Sequence, residues 1–397
     1  MKGLPTDRWL LPDGIEELLP DEARRLEQLR RCLLDTCLAF GYELVFPPLV
    51  DFLDSLLTGA GHDLELQTFK LTDPVSGRLL GVRADLTPQV ARIDAHHLKR
   101  QGPTRLCYVG TVLRAYADPL DKSRSPIQIG AELYGHAGAE ADLEVIRLLL
   151  ELLARAGVLN VHLDLGHVGI YRGLARRAGL KADEEALLFA ILQRKSRPDL
   201  NQFLARCSCP KEAKTSFAAL LELNGDADVL AQARTQLANA GEEVVAALER
   251  LEQVAMRIRR LYPALPIHFD LAELRGYHYH TGLVFAALVP GQGREIARGG
   301  RYDDIGEVFG QARPAVGFSA DLKQLLRLGV QVEEAPAKRL FAPYGEDPEL
   351  LEAIRTLRNE GWQVVQALSD REDPRQLGCS FRLERRNGRY ETTSLIA

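Results

Sequence analysis

The chain has 397 residues, 46% of them hydrophobic and 26% charged, with a net charge of −5 from 50 basic and 55 acidic side chains. That composition is enough for about two or three packed units, and no stretch approaches the roughly eighteen consecutive apolar residues of a membrane span. No basic block marks a nucleic-acid surface, and Pro5, Asp7, Arg8 and Pro12 interrupt any signal-peptide core, so a cytoplasmic protein is expected.

Along the chain, Leu26, Leu29, Leu33, Cys37 and Phe40 recur at helical spacing within residues 21–40, and Gly41 supplies the stop. The β-rich YELVFPPLVDF follows, its double proline demoting part of it to an edge or bend. Strands are expected at 66–71 and 78–84, joined by a turn around Pro74, Ser76 and Gly77. Thr87–Pro88 reads as a helix entry with threonine as N-cap. Two strands at 105–116 and 126–135 flank a polar loop, and the second alternates Ile127, Ile129, Ala131 and Leu133 with Gln128, Gly130, Glu132 and Tyr134. A helix from Leu143 to Ala156 and a strand at 160–165 come next.

From about 170 to 262 the pattern is helical; Val244, Val245, Leu248, Leu251, Val254, Ala255, Ile258 and Leu261 form one stripe across 241–261. Strands return at 267–272, 277–289 and 294–298, and 315–329 reads as strand, turn and helix. After a linker near 333, residues 339–343, 347–360 and 363–367 suggest strand, helix and strand, followed by a hairpin turning at Asn387–Gly388. Two domains are therefore expected: a core over 1–332 carrying the helical insertion, and a small α/β domain over 333–397.

Several clusters have chemical potential. Arg83, Asp85 and Thr87 alternate, so on a strand they share a face suited to an amino-acid ligand, with Asp85 opposite an ammonium group; a surface ion pair capping the next helix is the plainer reading. Arg114 ends one hairpin strand, while Gln128 and Glu132 share a face of the other, where Gly130 leaves room for a flat ligand. The segment from Leu274 to Gly282 gathers Arg275, Tyr277, His278, Tyr279 and His280 without a carboxylate or cysteine at ligand spacing, so a metal site is not expected. Gly299-Gly300-Arg301-Tyr302-Asp303 reads as a tight turn bringing backbone near a ligand or another strand. The six cysteines, with only Cys207 and Cys209 close together, read as reduced thiols.

The order of these segments resembles the histidyl-tRNA synthetase family. RADLTPQVARI resembles its substrate-binding segment, RLCYVGTVLRAY…RSPIQIGAELYG the class II motif 2 hairpin, LRGYHYHTGLVF the histidine-specific signature and ARGGRYDDI the glycine-rich strand after it. FPPLV resembles the motif 1 dimer strand, and AVGFSADLKQLL occupies the place of motif 3. The match spans roughly residues 8–329. It implies an α+β fold: a class II aminoacyl-tRNA synthetase-like antiparallel sheet flanked by helices, with a helical insertion and a small C-terminal α/β domain. It also places Asp85, Thr87, Gln128, Glu132, Arg275 and Tyr279 at histidine-recognition positions, with His280 where the family has a second tyrosine. Arg114 falls on the motif 2 arginine that contacts substrate and the ATP α-phosphate, and Arg124 on the motif 2 loop arginine.

The departures concern ATP. Motif 2 normally reads Arg-x-Glu, whereas Arg114-Ala115-Tyr116 lacks the adenine-side acid. Motif 3 normally ends in an arginine that grips the γ-phosphate, whereas the chain has Asp321-Leu322-Lys323-Gln324. Losing one cation that stabilises developing phosphate charge costs about 3 kcal/mol, on the order of a hundredfold in rate. Residues 333–397 are also short for an anticodon-binding domain, and FAPYG…LRNEGWQVVQAL…LGCSFRLERRNGRY resembles the C-terminal region of the ATP phosphoribosyltransferase regulatory subunit family.

That resemblance implies a non-catalytic subunit of the first step of histidine biosynthesis, with no cofactor. Its partner would be the short-form catalytic subunit, in a hetero-oligomer that the family makes a hetero-octamer built on homodimers. Histidine would be the effector, and no tRNA or DNA partner is expected. An active histidyl-tRNA synthetase and a stand-alone histidine sensor are the alternatives.

Overall fold

The computed structural model describes residues 9–58, 62–117, 123–273, 279–310, 312–329 and 338–395. The chain forms two compact units, Met1–Val330 and Gln331–Ala397. In the first, the strands in chain order are β1 (Glu43–Leu44), β2 (Val50–Phe52), β3 (Phe69–Thr72), β4 (Leu79–Val82), β5 (Thr104–Thr111) and β6 (Ile127–Tyr134). They continue as β7 (His162–His167), β8 (Asn224–Gly225), β9 (Ile267–Asp270), β10 (Leu283–Leu288), β11 (Ala297–Arg301) and β12 (Ala315–Asp321).

A nine-stranded sheet runs β1-β5-β6-β12-β11-β10-β7-β9-β8. Every pair from β5 across to β7 is antiparallel, while β1–β5 and β7–β9 are parallel. A separate sheet holds β2, β4 and β3. Pro47 and Pro48 cannot donate to a ladder, and they separate β1 from β2.

Both faces of the large sheet are covered. Ile129, Ala131 and Leu133 of β6 belong to the main core, against which the helix Ala139–Arg155 buries Val145, Ile146, Leu149 and Leu152. The opposite face, expected to be polar, is buried too: Glu132 is 0% exposed, and Tyr108 and Tyr134 pack with Leu86 and Val90. The cover is the helix Thr87–Arg92 and its π-helical continuation Ile93–Leu98. Asp94 in that continuation takes Arg313 Nη1 at 3.0 Å on both carboxylate oxygens, and Arg92 Nη2 meets Asp51 at 2.6 Å. Both pairs are largely buried, so they fix the cover more firmly than surface pairs would.

The insertion carries the helices Val168–Ala178, Ala182–Gln193, Arg197–Arg206, Lys211–Leu220, Asp228–Gln236 and Glu242–Leu261. It also contributes β8, which pairs with β9 at the sheet edge. In Glu242–Leu261 the expected stripe is buried except at its flanks, where Val245 and Leu261 are exposed.

Other local expectations shift. Leu66 and Gln67 close a short helix, His62–Gln67, before β3 begins. Thr87 does not cap its helix; its hydroxyl is drawn to buried partners on the sheet. Gly299 and Gly300 lie inside β11 and make no turn. A Cβ on Gly299 would sit 2.5 Å from the Phe285 ring, so glycine there admits the neighbouring strand's aromatic side chain. Cys207 and Cys209 are disulfide-paired, against the expectation of reduced thiols, while Cys32, Cys37, Cys107 and Cys379 are free.

The second unit contains β13 (Arg339–Ala342), β14 (Gln363–Gln366), β15 (Phe381–Arg386) and β16 (Arg389–Ser394) in the order β14-β13-β15-β16. Leu350 and Ile354 of the helix Pro348–Asn359 pack on Leu340, Val364 and Leu383. The β15–β16 hairpin turns at Asn387 (φ 47°) and Gly388 (φ 78°), the left-handed pair that a two-residue turn requires. No helix among the described residues is long and apolar enough to cross a membrane.

Candidate ligand-binding site

β5 and β6 lie in register so that Tyr108 faces Gly130 and Leu106 faces Glu132. A Cβ on Gly130 would lie 2.3 Å from the Tyr108 hydroxyl, so the space left by that glycine is filled by tyrosine and not kept for a flat ligand. On the other side, Glu132 pairs with Gly317 of β12, where an added Cβ would come 1.4 Å from the carboxylate. The two glycines let a tyrosine and a glutamate lie flat between strands.

Around Glu132 the hydroxyls converge. Oε1 accepts from Tyr108 OH at 2.9 Å and from Thr87 Oγ1 at 3.1 Å, and Oε2 accepts from Tyr302 OH. Tyr279 stacks on Tyr302 with ring centroids 4.9 Å apart, and His280 meets Tyr279 edge-on at 5.4 Å. Burial raises the Glu132 carboxyl to about 8; the three hydroxyls pull the other way, and the nearby Asp85 charge adds to the rise. Burial, followed by the charge of Glu132, pushes the phenols of Tyr108, Tyr279 and Tyr302 well above their usual range.

Asp85 and Gln128 form a second cluster. Gln128 Nε2 donates to Asp85 Oδ1 at 3.2 Å, and its Oε1 accepts from the Leu86 amide at 3.0 Å. The Thr87 amide also donates to Asp85 Oδ1, at 2.9 Å. Asp85 is thus aimed by an amide and a glutamine, next to the Thr87–Glu132 hydroxyl network. Arg83 does not share this face: β4 ends at Val82, and the guanidinium turns to the carbonyls of Thr111 (2.9 Å) and Pro47 (2.6 Å).

Gln128 also lines an open cleft of about 590 Å³, its mouth included, together with Arg114, Arg294, Arg298, Asp321 and Gln324. Arg114 follows β5, which ends at Thr111, and its backbone makes an isolated bridge with Thr68. Sequence reading did not find Arg294 or Arg298; their signal was only two arginines flanking the β11 start, and cross-strand neighbours brought them to Gln324. Arg294 Nη2 donates to Gln324 Oε1 at 3.2 Å. Lys323 is no replacement for a motif 3 cation, since its Nζ is buried 3.2 Å from Glu16 and 3.5 Å from Ser125 Oγ. Tyr116 is 67% exposed. Arg124 is engaged by the carbonyls of Arg114 (3.1 Å) and Asp13 (3.2 Å).

Of the expected site residues, Asp85, Thr87, Gln128, Glu132, Tyr279 and His280 gather in one cluster of hydrogen bonds and ring contacts, and Arg114 lines a cleft with Gln128. Arg275 lies outside the described residues, as does His278. Among the described residues, no group of three His, Cys, Asp or Glu side chains is placed to hold a metal ion.

The fold and pocket define a class II core of the histidyl-tRNA synthetase type, and residues 14–325 match the histidyl-tRNA synthetase family model. Residues 337–393 match a different model, the ATP phosphoribosyltransferase subunit HisZ C-terminal domain. An ATP phosphoribosyltransferase regulatory subunit from Thioalkalivibrio sulfidiphilus is 57% identical, the match covering 98% of each chain. One from Methylococcus capsulatus is 58% identical, covering 96% of this chain and 95% of the relative. Among solved structures, an ATP phosphoribosyltransferase regulatory subunit/histidyl-tRNA synthetase from Bacillus halodurans superposes with a TM-score of 0.81 at 26% identity, covering 95% of this chain and 97% of that one. Histidyl-tRNA synthetase from Nostoc shares the fold, with a TM-score of 0.77 at 18% identity over 98% and 97%.

The chain belongs to the ATP phosphoribosyltransferase regulatory subunit family. Its role is regulatory, in histidine biosynthesis, and the synthetase alternative is disfavoured.

Proposed function

We propose that the chain performs no transfer chemistry itself and acts by binding histidine at the cluster of Asp85, Thr87, Gln128, Glu132, Tyr279 and His280, with Arg114 beside it and with Arg275, which the family resemblance also implicates, as a further contact. The observation that carries this reading is Glu132, a fully buried carboxyl beside Asp85 that accepts from three hydroxyls. A carboxylate aimed by the Thr87 amide and by Gln128 suits an ammonium group, and a buried carboxyl ringed by hydroxyls suits an imidazole. Phosphoribosyl transfer then belongs to a short catalytic subunit in a cytoplasmic hetero-oligomer, probed as a hetero-octamer, with no tRNA or DNA partner. Phe46, 73% exposed, and the half-exposed Leu49 and Val50 offer an apolar edge for a homodimer core.

Histidine can shift the activity of such a complex only as far as it binds the active and inactive assemblies differently. The test is to mix the chain with the short catalytic subunit and follow phosphoribosyl transfer with and without histidine. Stimulation by the chain, and inhibition by histidine that Glu132→Gln weakens, are expected. Lack of stimulation sinks the regulatory assembly, and inhibition unchanged by Glu132→Gln removes the pocket from it.

A further inference from the structure

We infer that Lys195, in the helical insertion, is a positioning residue for the histidine site, and that its ion pair with Asp270 ties histidine binding to the placement of the insertion. The inference rests on the histidine-binding reading above. Lys195 Nζ lies 2.6 Å from Asp270 Oδ1 and 2.7 Å from Oδ2, so the ammonium meets both oxygens. Asp270 is the last residue of β9, and β8 of the insertion reaches the same residue through the Asn224–Asp270 pair. The insertion therefore grips this strand end twice, once by a side chain and once by backbone.

Lys195 closes the helix Ala182–Gln193 with φ 53°, its amide donating to the Leu192 carbonyl at 3.0 Å while the Ser196 amide donates to that of Ile191 at 3.2 Å. This is the left-handed closing position of a helix, where glycine is favoured because a Cβ is crowded. A lysine there keeps the crowding but aims an ammonium at Asp270, whose carboxylate is largely buried. Among the described residues, the insertion's other ion pairs stay inside it, as Arg176–Glu243 and Arg234–Glu252 do, or join Glu242–Leu261 to the helix Ala139–Arg155, as Arg257–Glu140 does. Lys195 alone among them reaches the strand end that leads to the site.

Asp270 organises the turn by which the chain leaves β9 toward Tyr279 and His280. Its Oδ1 accepts from the Ala272 amide at 3.0 Å, its carbonyl accepts from the Glu273 amide at 3.1 Å, and Leu271 and Ala272 are buried. A Cβ on Gly166 of β7 would lie 2.8 Å from the Asp270 carbonyl and 3.2 Å from the Val284 side chain, so the turn abuts the start of β10 without slack. Directly before β10, the Val168 amide donates to the Gly282 carbonyl at 3.0 Å and the Thr281 amide to that of Arg301 at 2.7 Å. Both borders of the segment carrying Tyr279 and His280 are thus held, and Lys195 acts on the first. Coupling is reciprocal: histidine that orders this segment also favours the docked insertion, and a displaced insertion weakens histidine binding.

The test is calorimetric titration of the full chain with histidine, paired with hydrogen exchange of residues 182–206 with and without histidine. Lys195→Met keeps most of the stem of a side chain that is 39% exposed and removes its charge, so the protein should fold. It should bind histidine at least severalfold more weakly, and Lys195→Arg should restore most of the affinity. Wild type should exchange more slowly at 182–206 when histidine is bound, and Lys195→Met should lose that protection. Unchanged affinity in Lys195→Met, a loss that Lys195→Arg does not restore, or histidine protection in wild type that stops short of 182–206 overturns the inference. All three leave the histidine site itself standing, whereas a wild type that binds no histidine overturns the site and the inference together.

Discussion

Replacing Glu132 with glutamine is expected to abolish a fall in stability that the wild-type protein shows between pH 6.5 and 8. The folded carboxyl is raised to about 8, while in the unfolded chain it returns to the ordinary range near 4.5. Between those values the folded state binds a proton that the unfolded state does not, so stability decreases as pH rises through the window. The slope is at most about 1.4 kcal/mol per pH unit, which amounts to roughly 1.5–2 kcal/mol from pH 6.5 to 8. Burial, helped by Arg250 and Arg301, lowers the His167 imidazole to about 4, so it is neutral in the folded state across this range, and its titration in the unfolded chain near 6.5 is the same in both proteins. Urea unfolding of both proteins at matched pH values isolates the difference, since other titrations cancel between them. Glutamine has nearly the same shape and can keep accepting from Tyr108 or Thr87. Parallel pH profiles for the two proteins would show that Glu132 is ionised throughout, and the account of its environment would be wrong.

Other outcomes follow from the same packing. Gly317→Ala places a Cβ 1.4 Å from the Glu132 carboxylate and 2.7 Å from the Ala131 carbonyl, so a loss of at least about 1–3 kcal/mol is expected in thermal melts, together with weakened histidine binding. Asp142 is fully buried and receives Arg301 Nε at 2.9 Å and Nη2 at 2.6 Å; Asp142→Ala leaves that buried guanidinium only Asp303 and the His136 and Gly138 carbonyls, and should cost about 3 kcal/mol in urea unfolding. His167 contributes with the opposite sign to Glu132: with its folded value lowered to about 4, its contribution is complete above pH 6.5 and lost as pH falls toward 4. His167→Gln should flatten that acid limb, and an unchanged limb would count against it. Tyr302→Phe removes one of the hydroxyls that favour the ionised Glu132, so the pH-dependent fall should move to higher pH.

Much of this protein was determined by the sequence alone. Periodicity located the helix Pro20–Ala39, the β5–β6 hairpin, the helix Glu242–Leu261 and the closing hairpin at Asn387–Gly388, because each depends on local alternation, caps or turn residues. Motif order also pointed to Asp85, Thr87, Gln128 and Glu132, which the fold brings together.

What depends on which strand lies beside which could not be seen there. A strand alternating isoleucine with glutamine and glutamate reads as half solvated, and only the cover from Thr87–Leu98 turns Glu132 into a buried carboxyl with a raised pKa. Gly130 looked like ligand space until Tyr108 on the paired strand filled it, and Gly299–Gly300 looked like a turn until Phe285 on β10 explained the missing side chain. Arg294 and Arg298 meet Arg114 only because β11 joins β12 and β12 joins β6. Local sequence sets the conformation of each segment, but burial, protonation and the meeting of distant charges are properties of neighbours that pairing alone supplies.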